Sequence, residues 1–261
     1  MSGPALLVSV RDPAEVSVAV AGGATIIDVK DPGRGSLGRA ADETLAACAA
    51  AVPQRLPWTC AAGELRDTPE AAASGLGQHL VTLESPPAAV KFGLAGCCGS
   101  DWSGSLAQIV RHLPAGSAGV PVAYADTERA AAPPVDEVID RAASAGFRLV
   151  LIDTFDKQVS GSLLDLAAVA ELKAWVARAR ACGLGLLLAG RLGLEEIPLV
   201  AGCQPDAVAV RSAVCVGGRL GRVDQMRVSL AADHCRRAGS SGPIAAEHRL
   251  LQPIFQKGVV E

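Results

Sequence analysis

Lysine is scarce in this 261-residue chain, where arginine outnumbers it 19 to 5. Three of the five lysines, Lys30, Lys91 and Lys157, stand where β-strands are expected to end. An ammonium can shed its proton when desolvated, and the free amine then attacks carbonyls; a guanidinium cannot. Carboxylates stand close by in sequence, Asp28 two residues before Lys30 and Asp153 four residues before Lys157. Neighbouring amines depress one another's pKa and burial acts in the same direction, while the two aspartates oppose both. That balance can leave one amine neutral enough to form a Schiff base and another placed to carry protons. The same acids and amines could instead be ion pairs that close a barrel mouth.

Such chemistry requires these side chains to converge. Eight short apolar runs supply candidate strands: 5–10, 25–30, 57–62, 88–93, 120–125, 148–153, 185–190 and 206–211. Helical segments separate them. Asp12 can cap a helix with Pro13 at its first position, closed by Gly22-Gly23. Asp42 opens another and Thr68-Pro69 a third. Residues 164–181 read as one long amphipathic helix stopped by Gly183, and a last helix runs from Asp224 to Arg237. Strand and helix alternating eight times predict a single (β/α)₈ TIM barrel over residues 1–238, with a tail over 239–261. A doubly wound sheet is the structural rival. The strands are mostly apolar throughout, as parallel strands covered on both faces require.

Within a barrel, alternate residues point inward and the C-terminal strand ends form the active site. Asp28 and Lys30 then share the inner face of the second strand. Lys91 closes the fourth, and Asp153 closes the sixth with Lys157 in the loop beyond. The seventh and eighth strand ends read Gly190-Arg191 and Arg211-Ser212, followed by Gly217-Gly218-Arg219. Loops there commonly hold phosphate through backbone N–H groups, with Arg adding bidentate charge. Gly190, Arg191, Arg211, Ser212, Gly217 and Gly218 are the candidate phosphate ligands; surface arginines beside ordinary turns are the plainer reading.

The run Gly33-Arg34-Gly35-Ser36-Leu37-Gly38 fits G-x-G-x-x-G, but the next strand closes at Ala62-Gly63 without the acid a dinucleotide ribose needs. A barrel loop covering an anionic substrate fits better. Asp126 is placed to reach the rim, and Tyr124 belongs to the core or just behind the site. The histidines His79, His112, His234 and His248 fall in helices or the tail, away from the strand ends.

Half of the residues are hydrophobic, enough for a full core. A net charge of −3 and 3% aromatics argue against nucleic-acid binding. The longest apolar run, 181–190, is far short of the ~20 residues a membrane span needs, so no membrane partner is expected. Eight scattered cysteines form no CxxC pair and no zinc spacing, which favours reduced thiols, a cytoplasmic protein and no metal.

Longer stretches carry a resemblance. Leu6-Leu7-Val8-Ser9, Ala21-Gly22-Gly23-Ala24, Ile27-Asp28-Val29-Lys30-Asp31-Pro32 and Gly35-Ser36-Leu37-Gly38 closely resemble the (5-formylfuran-3-yl)methyl phosphate synthase family. That family makes the furan precursor of methanofuran and methylofuran. The likeness continues at Val90-Lys91-Phe92-Gly93-Leu94, Ala123-Tyr124-Ala125-Asp126, Leu151-Ile152-Asp153-Thr154, Leu188-Ala189-Gly190, Val210-Arg211-Ser212-Ala213 and Gly221-Arg222-Val223-Asp224. It implies a (β/α)₈ lyase that joins two molecules of glyceraldehyde 3-phosphate, expels phosphate and water, and closes a furan ring. It further implies that Lys30 forms the Schiff base and Lys91 accepts the proton, with Asp28, Asp153 and Lys157 completing the acid/base set. No cofactor is implied, because a protonated imine serves as electron sink. The chain departs from the family in Phe155-Asp156 before Lys157 and in its tail after Gly239. A sugar-phosphate isomerase or epimerase working through Asp28 and Asp153, and a non-catalytic phosphometabolite-binding barrel, remain as alternatives. The sequence leaves open a homo-oligomer.

Overall fold

The computed structural model describes residues 3–239. Eight parallel strands close on themselves in sequence order: β1 (Ala5–Val10), β2 (Ile26–Val29), β3 (Trp58–Glu64), β4 (Ala89–Gly93), β5 (Ala118–Tyr124), β6 (Leu149–Asp153), β7 (Gly185–Leu188) and β8 (Ala207–Val210). The ring closes where β1 pairs with β8 in the register Leu7↔Ala209. Outside it lie α1 (Pro13–Ala21), α2 (Asp42–Ala51), α3 (Glu70–Val81), α4 (Trp102–Val110), α5 (Thr127–Ala130), α6 (Val135–Ser144), α7 (Leu163–Leu166), α8 (Val169–Ala181), α9 (Ile197–Ala201) and α10 (Gln225–Gly239). The (β/α)₈ architecture expected from the strand–helix rhythm is the one observed.

The two-residue period of each strand sorts its side chains into two cores. Leu6, Val8, Val10, Ile27, Val29, Val90, Phe92, Val150 and Ile152 face the helices. Leu7, Ile26, Ala61, Ala89, Val120, Val122, Leu151, Leu187, Ala207 and Ala209 fill the barrel. Alanines make up much of this inner set, and Ala189 and Ala209 border open space at the mouth beside β7 and β8.

Local signals act as read at α1: the Asp12 side chain accepts from the Glu15 N–H, and Pro13 occupies the first turn. The single helix expected over residues 164–181 is two. Ala167 and Ala168 are extended between α7 and α8. α7 is opened by a capping box of Ser162 with Asp165, and its Leu163 N–H donates to the Gly190 carbonyl. An antiparallel hairpin, β9 (Cys215–Val216) with β10 (Arg222–Val223), was not expected and stands beyond β8. The tail after Gly239, including His248, lies outside the described residues. No helix among the described residues is long and apolar enough to cross a membrane.

Candidate active site

Asp28 sits on the inner face of β2, fully buried, in one layer with Ser9 of β1 and Thr59 of β3 (Ser9↔Asp28 and Asp28↔Thr59). Ser9 Oγ donates to Oδ2 at 2.9 Å and Thr59 Oγ1 to Oδ1 at 2.8 Å. Lys91, from β4, brings its Nζ to 2.5 Å from the same Oδ1. Burial pushes the Asp28 carboxyl up, yet Lys91 and Lys30 together with these hydrogen bonds carry it below the usual carboxylate range. Asp28 is therefore an ionised acid that holds Lys91 in place.

Lys30 follows β2 and lies one inward position nearer the mouth. Its Nζ donates to the Ser36 carbonyl at 3.3 Å and, among the described residues, forms no ion pair. Burial drives its amine down to about 7; Asp153 and Asp28 oppose this, while Lys91 and Lys157 reinforce it. The 33–38 loop folds over the mouth. Ser36 Oγ lies 3.1 Å from Asp153 Oδ2 and 3.0 Å from the Thr154 carbonyl, and the Asp31 N–H donates to Gly38. A Cβ on Gly38 would sit 2.2 Å from the Asp31 carbonyl oxygen, so glycine is required for this closure.

Asp153 ends β6 inside the barrel. Its Oδ1 takes the Lys157 ammonium in a short ion pair and accepts the Thr154 N–H at 2.8 Å. Burial raises this carboxyl, but Lys157 and Lys30 outweigh it and hold it at about 2. Burial also lowers the Lys157 amine, with Asp153 opposing, and the net shift is downward. Asp156 is spent elsewhere: its half-buried carboxylate accepts the Gln158 and Val159 N–H groups and pairs with Arg129. Asp126 does not line the cleft. It accepts the Phe155 and Asp156 N–H groups and the Ser160 hydroxyl, shaping the loop that presents Lys157.

Lys30, Lys91, Asp153 and Lys157 thus border one cleft together with Ser9, Gly190, Arg191, Arg211, Ser212 and Arg219. It holds about 450 Å³ of space, counting the part open to solvent. Gly190 has φ +120 and Arg191 φ +52. A Cβ on Gly190 would meet Leu163 at 2.9 Å, so this tight end of β7 is reserved for glycine.

Two expected phosphate elements are placed otherwise. All five guanidinium N–H donors of Arg211 are occupied, by Glu15, by the Ser9 carbonyl and by the Arg219 and Gly221 carbonyls, which leaves none for a phosphate. Gly217 and Gly218 are exposed in the hairpin turn and do not border the cleft. Glu15, on α1, is the buried partner of Arg211, with N···O at 2.9 Å.

Ser9, Thr59 and Ser36 were not singled out. A polar residue on the inward parity of an apolar strand was the available signal for Ser9 and Thr59; Ser36 offered none, because a loop's path is not periodic. β3 runs past its expected end through Gly63, at φ +102, so Glu64 receives the Tyr124 hydroxyl at 2.6 Å. Burial raises the Glu64 carboxyl despite this hydrogen bond. Among the described residues, no group of three or more His, Cys, Asp or Glu side chains could hold a metal ion.

Comparison with solved structures agrees with the barrel. Phosphoribosyl anthranilate isomerase from Thermotoga maritima superposes with a TM-score of 0.64 at 16% identity, covering 90% of this chain and 99% of that one. The 3-hexulose-6-phosphate synthase of Salmonella typhimurium gives 0.62 at 15%, with 90% and 100% covered. At this identity only the fold is shared. Sequence relatives are more specific. A Methylorubrum extorquens protein, provisionally named a (5-formylfuran-3-yl)methyl phosphate synthase, is 35% identical over 236 residues, 89% of this chain and 92% of its own. The (5-formylfuran-3-yl)methyl phosphate synthase of Methanothermobacter thermautotrophicus is 31% identical, covering 82% and 90%. That of Methanococcus maripaludis is 31% identical, covering 89% and 99%. The profile of the 4-HFC-P synthase family matches residues 6–231. With its barrel, its lysine-lined mouth and a match over most of its length, the chain belongs to the 4-HFC-P synthase family.

Proposed function

We propose that this cleft makes (5-formylfuran-3-yl)methyl phosphate from two molecules of glyceraldehyde 3-phosphate through an iminium on Lys30, acting as a carbon–oxygen lyase. One observation carries the reading. Lys30 is a buried amine at the mouth, brought to about 7 and free of any carboxylate partner among the described residues. Such an amine is substantially unprotonated at neutral pH, when it can attack an aldehyde. Its neighbours are committed as acid–base pairs, Asp28 with Lys91 and Asp153 with Lys157.

The atoms balance as follows. One triose condenses with Lys30 and releases a water. Loss of a proton from its C2, taken through the Lys91–Asp28 pair, gives an enamine. The second triose loses a C2 proton and its phosphate through the Asp153–Lys157 pair, leaving an enol conjugated to its aldehyde. The enamine C2 attacks the terminal carbon of that acceptor. The acceptor's enol oxygen then adds to the iminium carbon, closing the ring. Expulsion of the Lys30 amine and loss of the remaining hydroxyl as a second water give the furan. Phosphate and two waters leave in all. Gly190, Arg191 and Ser212 border the cleft, which supports their holding a phosphate as the chemistry proceeds. Eight unpaired thiols, six of them buried, support assignment to a reducing cytoplasm.

Borohydride reduction in the presence of glyceraldehyde 3-phosphate, followed by peptide mapping, tests this. A reduced adduct on Lys30, and furan absorbance that disappears in Lys30→Ala, are expected. Furan production by Lys30→Ala at the normal rate sinks the mechanism. An isomerase would instead turn over the triose with no adduct at all.

A further inference from the structure

The charge arrangement of the cleft goes further, resting on the two-triose reaction just proposed. Six cationic side chains border it: Lys30, Lys91, Lys157, Arg191, Arg211 and Arg219. Three are answered by carboxylates, Lys91 by Asp28, Lys157 by Asp153 and Arg211 by Glu15. Lys30, Arg191 and Arg219 form no ion pair among the described residues. Lys30 must react as a neutral amine, so two guanidiniums remain uncompensated in a cleft that has to receive two phosphates.

Those two arginines approach from different elements. Arg191 sits in the loop after β7, three residues beyond Leu188. Arg219 sits in the turn of the β9–β10 hairpin, which the buried Glu15–Arg211 pair anchors: Arg211 donates to the Arg219 and Gly221 carbonyls, and Arg11 to that of Leu220. From there Arg219 reaches across to the loop after β2. Its Nε donates to the Pro32 carbonyl at 3.3 Å and its Nη2 to that of Gly35. Nη1 has no partner among the described residues. The guanidinium is half-buried, and its charge is felt at both Lys157 and Asp153. A cation so held and partly withdrawn from water binds a phosphate more strongly than an exposed one.

We infer that Arg219 is the ligand of a second phosphate subsite: Arg191, with Gly190 and Ser212, grips one triose phosphate, and Arg219 grips the other on the Lys157–Asp153 side. Because Arg219 also holds the loop bearing Ser36, filling this subsite fixes the cover over Lys30.

The test separates binding of the two trioses in the full chain. Lys30 adduct formation, trapped by borohydride, reports the first triose; furan absorbance reports both. In Arg219→Met, trapping should saturate at the wild-type glyceraldehyde 3-phosphate concentration. Furan formation should fall about 10²-fold and become proportional to substrate where wild type is saturated. Arg219→Lys, which keeps a cation, should recover part of the rate. Parallel loss of adduct and furan in Arg219→Met would mean that Arg219 only positions the Lys30 loop, and would overturn the inference; so would unchanged furan kinetics. A wild-type protein yielding neither adduct nor furan would instead remove the two-triose reaction on which the subsite rests.

Discussion

Lys91 Nζ lies 2.5 Å from Asp28 Oδ1, so the partner of this acid comes from two strands away and not from its own strand. Successive inward positions on one strand are about 6.5 Å apart. A lysine folded back along β2 would have to cross that gap, whereas one from β4 reaches over the barrel interior. The result leaves Lys30 nearer the mouth, facing the Ser36 carbonyl and the open cleft.

Attack requires neutral Lys30, whose folded value is about 7, so the neutral fraction grows as pH rises through that value. The initial rate of borohydride-trapped adduct should climb between pH 6 and 8, at roughly tenfold per unit on the acid side, and then level off. A flat profile across this range would contradict the assignment.

Lys30 should also weaken the fold. Its pKa is depressed from 10.5 to about 7, so the unfolded chain holds the proton more tightly. The penalty is full below pH 7, shrinks as pH rises from 7 to 10.5, and vanishes above. Lys30→Met should therefore gain roughly 2–5 kcal/mol near neutrality and little near pH 10.5. Thermal melts of both proteins across that range check this, and an equal gain at every pH would refute it.

For Asp153 the sign reverses. Its carboxyl lies at about 2 against an ordinary 3.8, so its contribution is complete above 3.8 and is lost as pH falls from there toward 2. Asp153→Asn should remove that part of the acid sensitivity. It should also cut furan formation by about 10²–10⁴-fold, since Lys157 loses its counter-charge. Denaturant midpoints from pH 5 to 2, with turnover at neutral pH, measure both.

Thr59→Val keeps the side chain's shape and deletes the 2.8 Å hydrogen bond to Asp28. A buried carboxylate losing one donor should cost about 1–3 kcal/mol, seen as a lower denaturant midpoint. With fewer donors its pKa rises, so the loss of stability on acidification should begin at a higher pH than in wild type.

Glu15→Ala strips Arg211 of its only carboxylate among the described residues, with both partners buried. Breaking such a pair costs about 3–5 kcal/mol. The melting temperature should fall sharply, and proteolytic nicking should begin near residues 215–223. A variant as stable as wild type would show that the pair does not anchor the hairpin.

Strand positions were legible as short apolar runs, because the barrel covers both faces of each strand, and within a run inward and outward residues alternate with a period of two. The same period put Asp28, Lys91 and Asp153 inside. It also contained Ser9 and Thr59, which went unnoticed as small polar residues in apolar runs. The break at Ala167–Ala168 carried no local mark, since no Gly or Pro lies there. Arg211 was misjudged for the opposite reason. Its position beside a glycine turn fits a phosphate site, but Glu15, 196 residues earlier, already occupies its guanidinium.

By itself the sequence determined the barrel, the inward face that carries Asp28, Lys91 and Asp153, and the family, because those follow from local periodicity and contiguous motifs. Only the tertiary structure decided which acid pairs with which amine. Pairing depends on distances across the barrel, set by strand tilt and by loops such as 33–38, and these select Lys30 as the amine left without a carboxylate.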